Sequence, residues 1–137
     1  MAVEVRMAGL RASYVAHRDA ADRLAGDNSG YLLLFYAVEC GLKSAWLKRQ
    51  GLRGTSDLPA HLRSHNLREL AKALRLGAED MVLFRDCTLH ASRPEKVRHD
   101  ELHQVWRYGA RLESNDQKKA VAGLTRLVEW CRSELGA

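Results

Sequence analysis

NSGYLLLFYAVECGLKSAWLKRQ, residues 28–50, contains no proline and carries no charged side chain before Glu39. Tyr31, Leu34, Phe35, Val38, Leu42, Ala45 and Trp46 recur at steps of three and four, so they line one face of a helix. Leu32, Leu33, Tyr36 and Ala37 widen that face until little of the first half can meet water. A helix apolar almost all round belongs in the middle of a bundle. Asn28 and Ser29 supply N-cap side chains, Glu39 precedes Lys43 by four residues, and Lys48-Arg49 followed by Gly51 close the C-terminus.

Working outward, residues 5–25 repeat the rhythm with Met7, Leu10, Tyr14, His17, Ala21 and Leu24, and Gly26-Asp27 ends that first helix. After the central helix, Gly51 to Ser64 has two glycines, one proline and no helical period, which predicts a long loop of the kind that is often functional or mobile. Asn66 with Glu69 makes a capping-box pair for a third helix striped by Leu67, Leu70, Ala71 and Leu74. Glu79 to about Ala91 reads as a fourth helix, broken by Ser92-Arg93-Pro94-Glu95. A short helical stretch follows from His99 to Tyr108, with Leu102, Val105 and Trp106 inward. Ser114 and Gln117 form a second capping box, opening a last helix striped by Val121, Leu124, Val128, Cys131 and Leu135. No segment alternates with period two, so no sheet is expected. The expectation is an all-α fold, a single up-down bundle of four to five helices over residues 1–137.

The chain has 137 residues, 46% apolar and 28% charged, with a net charge of +5, which is ordinary for one domain and permits an acidic partner such as RNA. Its three cysteines are widely spaced, and Cys40 and Cys131 fall on or beside apolar faces, which suits buried free thiols. No signal-peptide pattern appears and no apolar run approaches a membrane span, so a cytosolic compartment without membrane contact is expected.

Basic side chains concentrate between Lys43 and Arg75, against only Asp57 and Glu69. Lys48, Arg49, Arg53 and Arg63 are the candidates for RNA phosphates, the alternative being a solvated polar face. Arg85-Asp86-Cys87-Thr88-Leu89-His90 sets an arginine five residues before a histidine, and Arg98-His99-Asp100-Glu101-Leu102-His103 repeats the spacing. On a helix five residues are a turn of about 140° and a rise of about 7.5 Å, so the two side chains flank a groove rather than stack. A guanidinium that holds phosphate and an imidazole that moves a 2′-hydroxyl proton suit RNA cleavage without a metal. The alternative is coincidence in a chain rich in both residues. His99 and His103 are spaced to hold a metal, but HDELH lacks the H-E-x-x-H order and a third ligand. No nucleophile elbow and no glycine-rich phosphate loop is present, and no cofactor or metal is expected.

Three segments in order resemble the HEPN superfamily of small helical domains from prokaryotic toxin and defence systems. Tyr36-Ala-Val-Glu-Cys-Gly-Leu-Lys43 is similar to its A-x-E-x-x-L-K-A helix, His65-Asn-Leu-x-x-Leu70 to its H-D-L-x-x-L, and Trp106-Arg-Tyr108 to the R-Y segment before the final helix in one branch. The resemblance implies a homodimer and a metal-independent endoribonuclease of a toxin–antitoxin or phage-defence system, held in check in many relatives by a nucleotidyltransferase-type antitoxin. It implies Arg85, Asp86 and His90 as the catalytic set, with Arg98, His99 and His103 as runner-up. The R-Y branch often lacks a working motif, and Asp86 stands where Asn is commoner. A non-catalytic module binding a nucleotide, RNA or a partner protein is therefore the alternative.

Overall fold

The computed structural model describes residues 3–137. The chain is mostly helical. Its helices are α1 (Met7–Arg23), α2 (Asn28–Gln50), α3 (Leu67–Ala73), α4 (Ala78–Met81), α5 (Leu102–Arg107) and α6 (Ser114–Leu135), and two short strands, β1 (Cys87–Thr88) and β2 (Lys96–Val97), lie between α4 and α5.

The α2 helix is central, as its composition requires: it packs against α1, α3, α5 and α6. Phe35, Val38, Leu42 and Ala45 are fully buried along it. Its end follows the expected chemistry, with Gly51 at φ 67° turning the chain into the left-handed region. Its start does not. The N-cap is Asp27, and the Asn28 amide instead donates to the carbonyl of Ala110 at 3.2 Å.

Three helices meet at Gly41. A Cβ there would stand 2.7 Å from Cys131 Sγ of α6 and 2.9 Å from the Tyr14 ring of α1, so only glycine allows the approach. Tyr14 is fully buried and donates its hydroxyl to Val128 O at 2.9 Å, which satisfies its polar atom. Cys131 and Cys87 are buried and Cys40 half-buried, all as free thiols.

Asn66 caps α3 by accepting from the Glu69 amide at 3.1 Å, as read from the sequence. The α6 cap is Glu113 rather than Ser114: its carboxylate accepts from the amides of Asn115 and Asp116, each at 3.0 Å. The loop from Gly51 to Ser64 contains two 3-10 turns and is pinned rather than free. Met7 N donates to Arg53 O at 2.8 Å, and Val5 N donates to Thr55 Oγ1 at 3.0 Å.

Two expectations fail between α4 and α5. The fourth helix stops at Met81 instead of reaching Ala91, and a two-stranded antiparallel sheet pairs Cys87 with Val97 and Thr88 with Lys96. The reason is packing. Gly123 of α6 comes so close to the Leu83–Phe84 backbone that a Cβ would meet Phe84 N at 3.0 Å, and Phe84 fills the core from an irregular segment. Downstream, Leu89 N donates to Glu95 O and Glu113 N to Thr88 O, so the backbone is satisfied by partners distant in sequence. Among the described residues no helix is long and apolar enough to cross a membrane.

Candidate functional site

Polar side chains gather where α2, the start of α3 and α5 converge. Glu39 projects from α2 one turn before Lys43, whose ammonium lies 3.2 Å from Glu39 Oε2, and both side chains are mostly buried. His65, just ahead of α3, brings Nδ1 to 2.6 Å from Glu39 Oε1 while its side chain stays 49% exposed. Each carboxylate oxygen thus serves one partner. Burial by itself raises the Glu39 carboxyl, but the hydrogen bond from His65 and the charges of Lys43 and His65 outweigh it and hold the group below the usual carboxylate value. The same hydrogen bond raises the His65 imidazole above its ordinary value, against partial burial.

Beneath His65 lies the ring of His103, 4.4 Å away between centroids and itself 5.0 Å from Phe35. His103 is 3% exposed and its Nδ1 is buried with no partner among the described residues. Burial lowers its pKa, and the neighbouring His65 and Arg107 lower it further, so the neutral imidazole is favoured. Arg107 of α5 donates to the Tyr36 hydroxyl and lies over the Tyr36 ring at 6.0 Å.

A second node joins the two sequence motifs in an unforeseen way. Asp86 Oδ1 stands 2.9 Å from His99 Nδ1 and accepts from the His99 amide, also at 2.9 Å, while His99 Nε2 faces Asn66 Oδ1 at 3.3 Å. The His99 hydrogen bond holds the Asp86 carboxyl below its usual value. So Asp86 of the first motif serves His99 of the second.

The arginine and histidine of each motif do not share a cleft. Arg85 and His90 flank the two-residue strand Cys87–Thr88 and the bridged Leu89 rather than sitting on a helix. Arg85 lines a cleft with Arg68, Met81, Val82 and Phe84, whereas His90 lines another with Arg111 and Lys118. In the runner-up pair Arg98 is bound to Asp100 at 3.1 Å, and His103 is sealed under His65. His99 and His103, spaced as metal ligands in sequence, thus have separate neighbours. Among the described residues no three His, Cys, Asp or Glu side chains are grouped to hold a metal ion.

All four basic candidates are exposed, and Lys48 and Arg53 have no acidic partner among the described residues. Arg49 instead binds Glu134 at 2.8 Å and Leu74 O at 2.7 Å, and Arg63 binds the carbonyls of Leu58 at 2.8 Å and Ser56 at 2.7 Å. These two are fasteners of the fold. Sequence reasoning overlooked the Glu39–His65–His103 stack. Its available signal was the juxtaposition of an acid in a nearly all-apolar helix with the histidine opening the next helix.

Compared with family models, with curated proteins and with solved structures, the chain matches none.

Proposed function

We propose that the chain is a HEPN-like helical module that binds RNA without cleaving it at Arg85 and His90. The observation that carries this reading is the separation of those two side chains into different clefts. The HEPN part is supported by the convergence of the resembling segments: Glu39 and Lys43, His65, and Arg107 with Tyr36 form one connected patch. RNA binding is supported by the net charge of +5 and by the exposed Lys48 at the end of α2 and Arg53 within the pinned loop. A module of this kind serves a toxin–antitoxin or defence complex as the subunit that grips nucleic acid.

The test is incubation with cellular RNA in EDTA beside an electrophoretic mobility shift. The expected result is a shifted band, intact RNA, and binding weakened severalfold by Lys48→Gln with Arg53→Gln. Cleavage that disappears in His90→Ala would overturn it.

One observation favours a second reading, the metal-independent ribonuclease acting as a homodimer. His65 is solvent-reachable and oriented by a carboxylate at 2.6 Å, an arrangement suited to moving a proton. In that reading His65 is the acid–base group and Arg107 the phosphate contact. RNA cleavage lost in His65→Ala but kept in His90→Ala would establish it.

A further inference from the structure

One opening in the surface belongs to neither patch. It is a cleft of about 500 Å³ where the end of the β1 segment, residues 111–114 and the first turns of α6 meet the start of α2. This volume lies within the roughly 300–1,000 Å³ usual for small-molecule sites. Its walls change character along α6. Ser114, Gln117 and Lys118 face it in the first turn, and one turn later the same face presents Val121 and Ala122. Arg111 and His90 add to the polar end, and the Tyr31 ring, braced against Trp106 at 5.8 Å, walls the cleft from α2.

The polar end is rich in donors that the fold leaves unused. Among the described residues neither Arg111 nor Lys118 has an acidic partner, in contrast to Arg49, Arg98 and Arg126, which do. The nearest carboxylates are turned to backbone: Glu113 accepts from Asn115 and Asp116, and Asp116 Oδ2 accepts from Thr88 N at 2.7 Å. Glu113 also occupies the end of α6, so the helix terminus is not the site. Gln117 Oε1 accepts from Trp106 Nε1 at 3.4 Å, which orients the carboxamide and leaves its nitrogen as a donor. The loop holding Arg111 is itself fixed, because Arg111 O accepts from His90 N at 2.8 Å and Leu112 is bridged to Leu89.

Two cations without acidic partners, with imidazole, hydroxyl and amide donors beside them, suit a phosphate monoester dianion, whose terminal oxygens accept from several groups at once. An apolar wall with an aromatic ring suits a flat heterocycle. We propose that this cleft binds a nucleoside 5′-monophosphate unit, its phosphate on Arg111, Lys118 and His90 and its base against Tyr31 and Val121. The unit comes either as a free mononucleotide or as the phosphorylated 5′ end of an RNA. The polymer source rests on the RNA-binding reading above; the mononucleotide site stands without it.

Titration of the ¹⁵N-labelled protein with AMP tests the proposal. Amide shifts confined to the cleft, from about Ser114 to Ala122 together with His90, are expected. Adenosine and inorganic phosphate alone should each bind at least tenfold more weakly than AMP. Arg111→Gln combined with Lys118→Gln should weaken AMP at least tenfold at unchanged melting temperature, while Lys48→Gln with Arg53→Gln should leave it unaltered. Competition with AMP by a 5′-phosphorylated oligoadenylate, but not by its 5′-hydroxyl counterpart, assigns the polymer source; competition by neither assigns the free nucleotide. The proposal is overturned by absence of AMP binding at 10 mM, by equal binding of inorganic phosphate, or by full affinity in the Arg111/Lys118 double variant. RNA binding lost only in the Lys48/Arg53 variant would leave the cleft's standing to the AMP arm alone.

Discussion

The Glu39–His65–His103 patch and the Arg111–Lys118 cleft both bring charge and aromatic surface together, but they treat charge in opposite ways. At the centre of the patch charge is matched inside the fold: Glu39 divides its oxygens between Lys43 and His65, and burial favours the neutral form of the unpartnered His103. In the cleft the cations face an opening and the nearby carboxylates are committed elsewhere. Charges matched internally contribute to stability, whereas charges left facing a cavity are placed for something that arrives. The contrast is open to measurement by substitution on either side.

The largest effect is expected at Glu39. Glu39→Ala leaves Lys43 mostly buried without its carboxylate and should cost about 3 kcal/mol of unfolding free energy in urea, a typical figure for breaking a buried pair. The Arg111→Gln/Lys118→Gln double variant should change stability by no more than about 0.5 kcal/mol. Equal losses on both sides would erase the distinction. Next comes His103. Replacing it by leucine removes a buried nitrogen that has no partner and should raise stability by about 1 kcal/mol, checked by the same denaturation.

The two adjacent imidazoles also predict a pH profile. The folded pKa of His65 is raised, so its contribution is fully present below the ordinary imidazole value near 6.5 and is lost as pH climbs through the raised value. For His103 the folded pKa is lowered, so the unfolded chain takes up more protons below about 6.5 and stability falls as pH drops through that region. Together they predict a thermal midpoint that declines both above and below the ordinary imidazole range. His103→Leu should flatten the acid arm, and His65→Gln should flatten the alkaline arm while also softening the acid arm, because the His65 charge helps to lower His103. The smallest effects belong to Arg85→Ala and His90→Ala, each exposed and each expected within about 0.5 kcal/mol of the parent.

Legibility in the sequence divides along the chain. The bounds of α2 are those its apolar period sets, and the face of Leu124, Val128, Cys131 and Leu135 in α6 is buried as read, because long helices repeat their signal many times. The Asn66 cap was equally plain, since its chemistry is local. From Val82 to Pro94 the signal fails. A strand of two residues is too short for alternation to show, and its backbone partners, Val97, Lys96 and Leu112, are far along the chain. Met81, Val82, Phe84 and Leu89 imitate a helical stripe, yet Val82 is 64% exposed and Phe84 is buried from an irregular turn. The error carried into the site. Arg85 and His90 were placed on one helix, and without it their common groove is gone. The Arg111–Lys118 cleft is hidden for a related reason, as it is assembled from three separate segments and no spacing within one of them announces it.

The glycine at position 41 has one more effect, on sulfur. By admitting Cys131 into the seam it removes that thiol from water, and burial pushes its ionisation far above the physiological range; burial likewise pushes Cys40 and Cys87 up to about 11. Alkylating reagents attack thiolates, so the folded molecule should be nearly inert to them. Whatever slow labelling of Cys131 is seen by mass spectrometry would then be a clock, counting the moments at which the last helix lifts away from the central one.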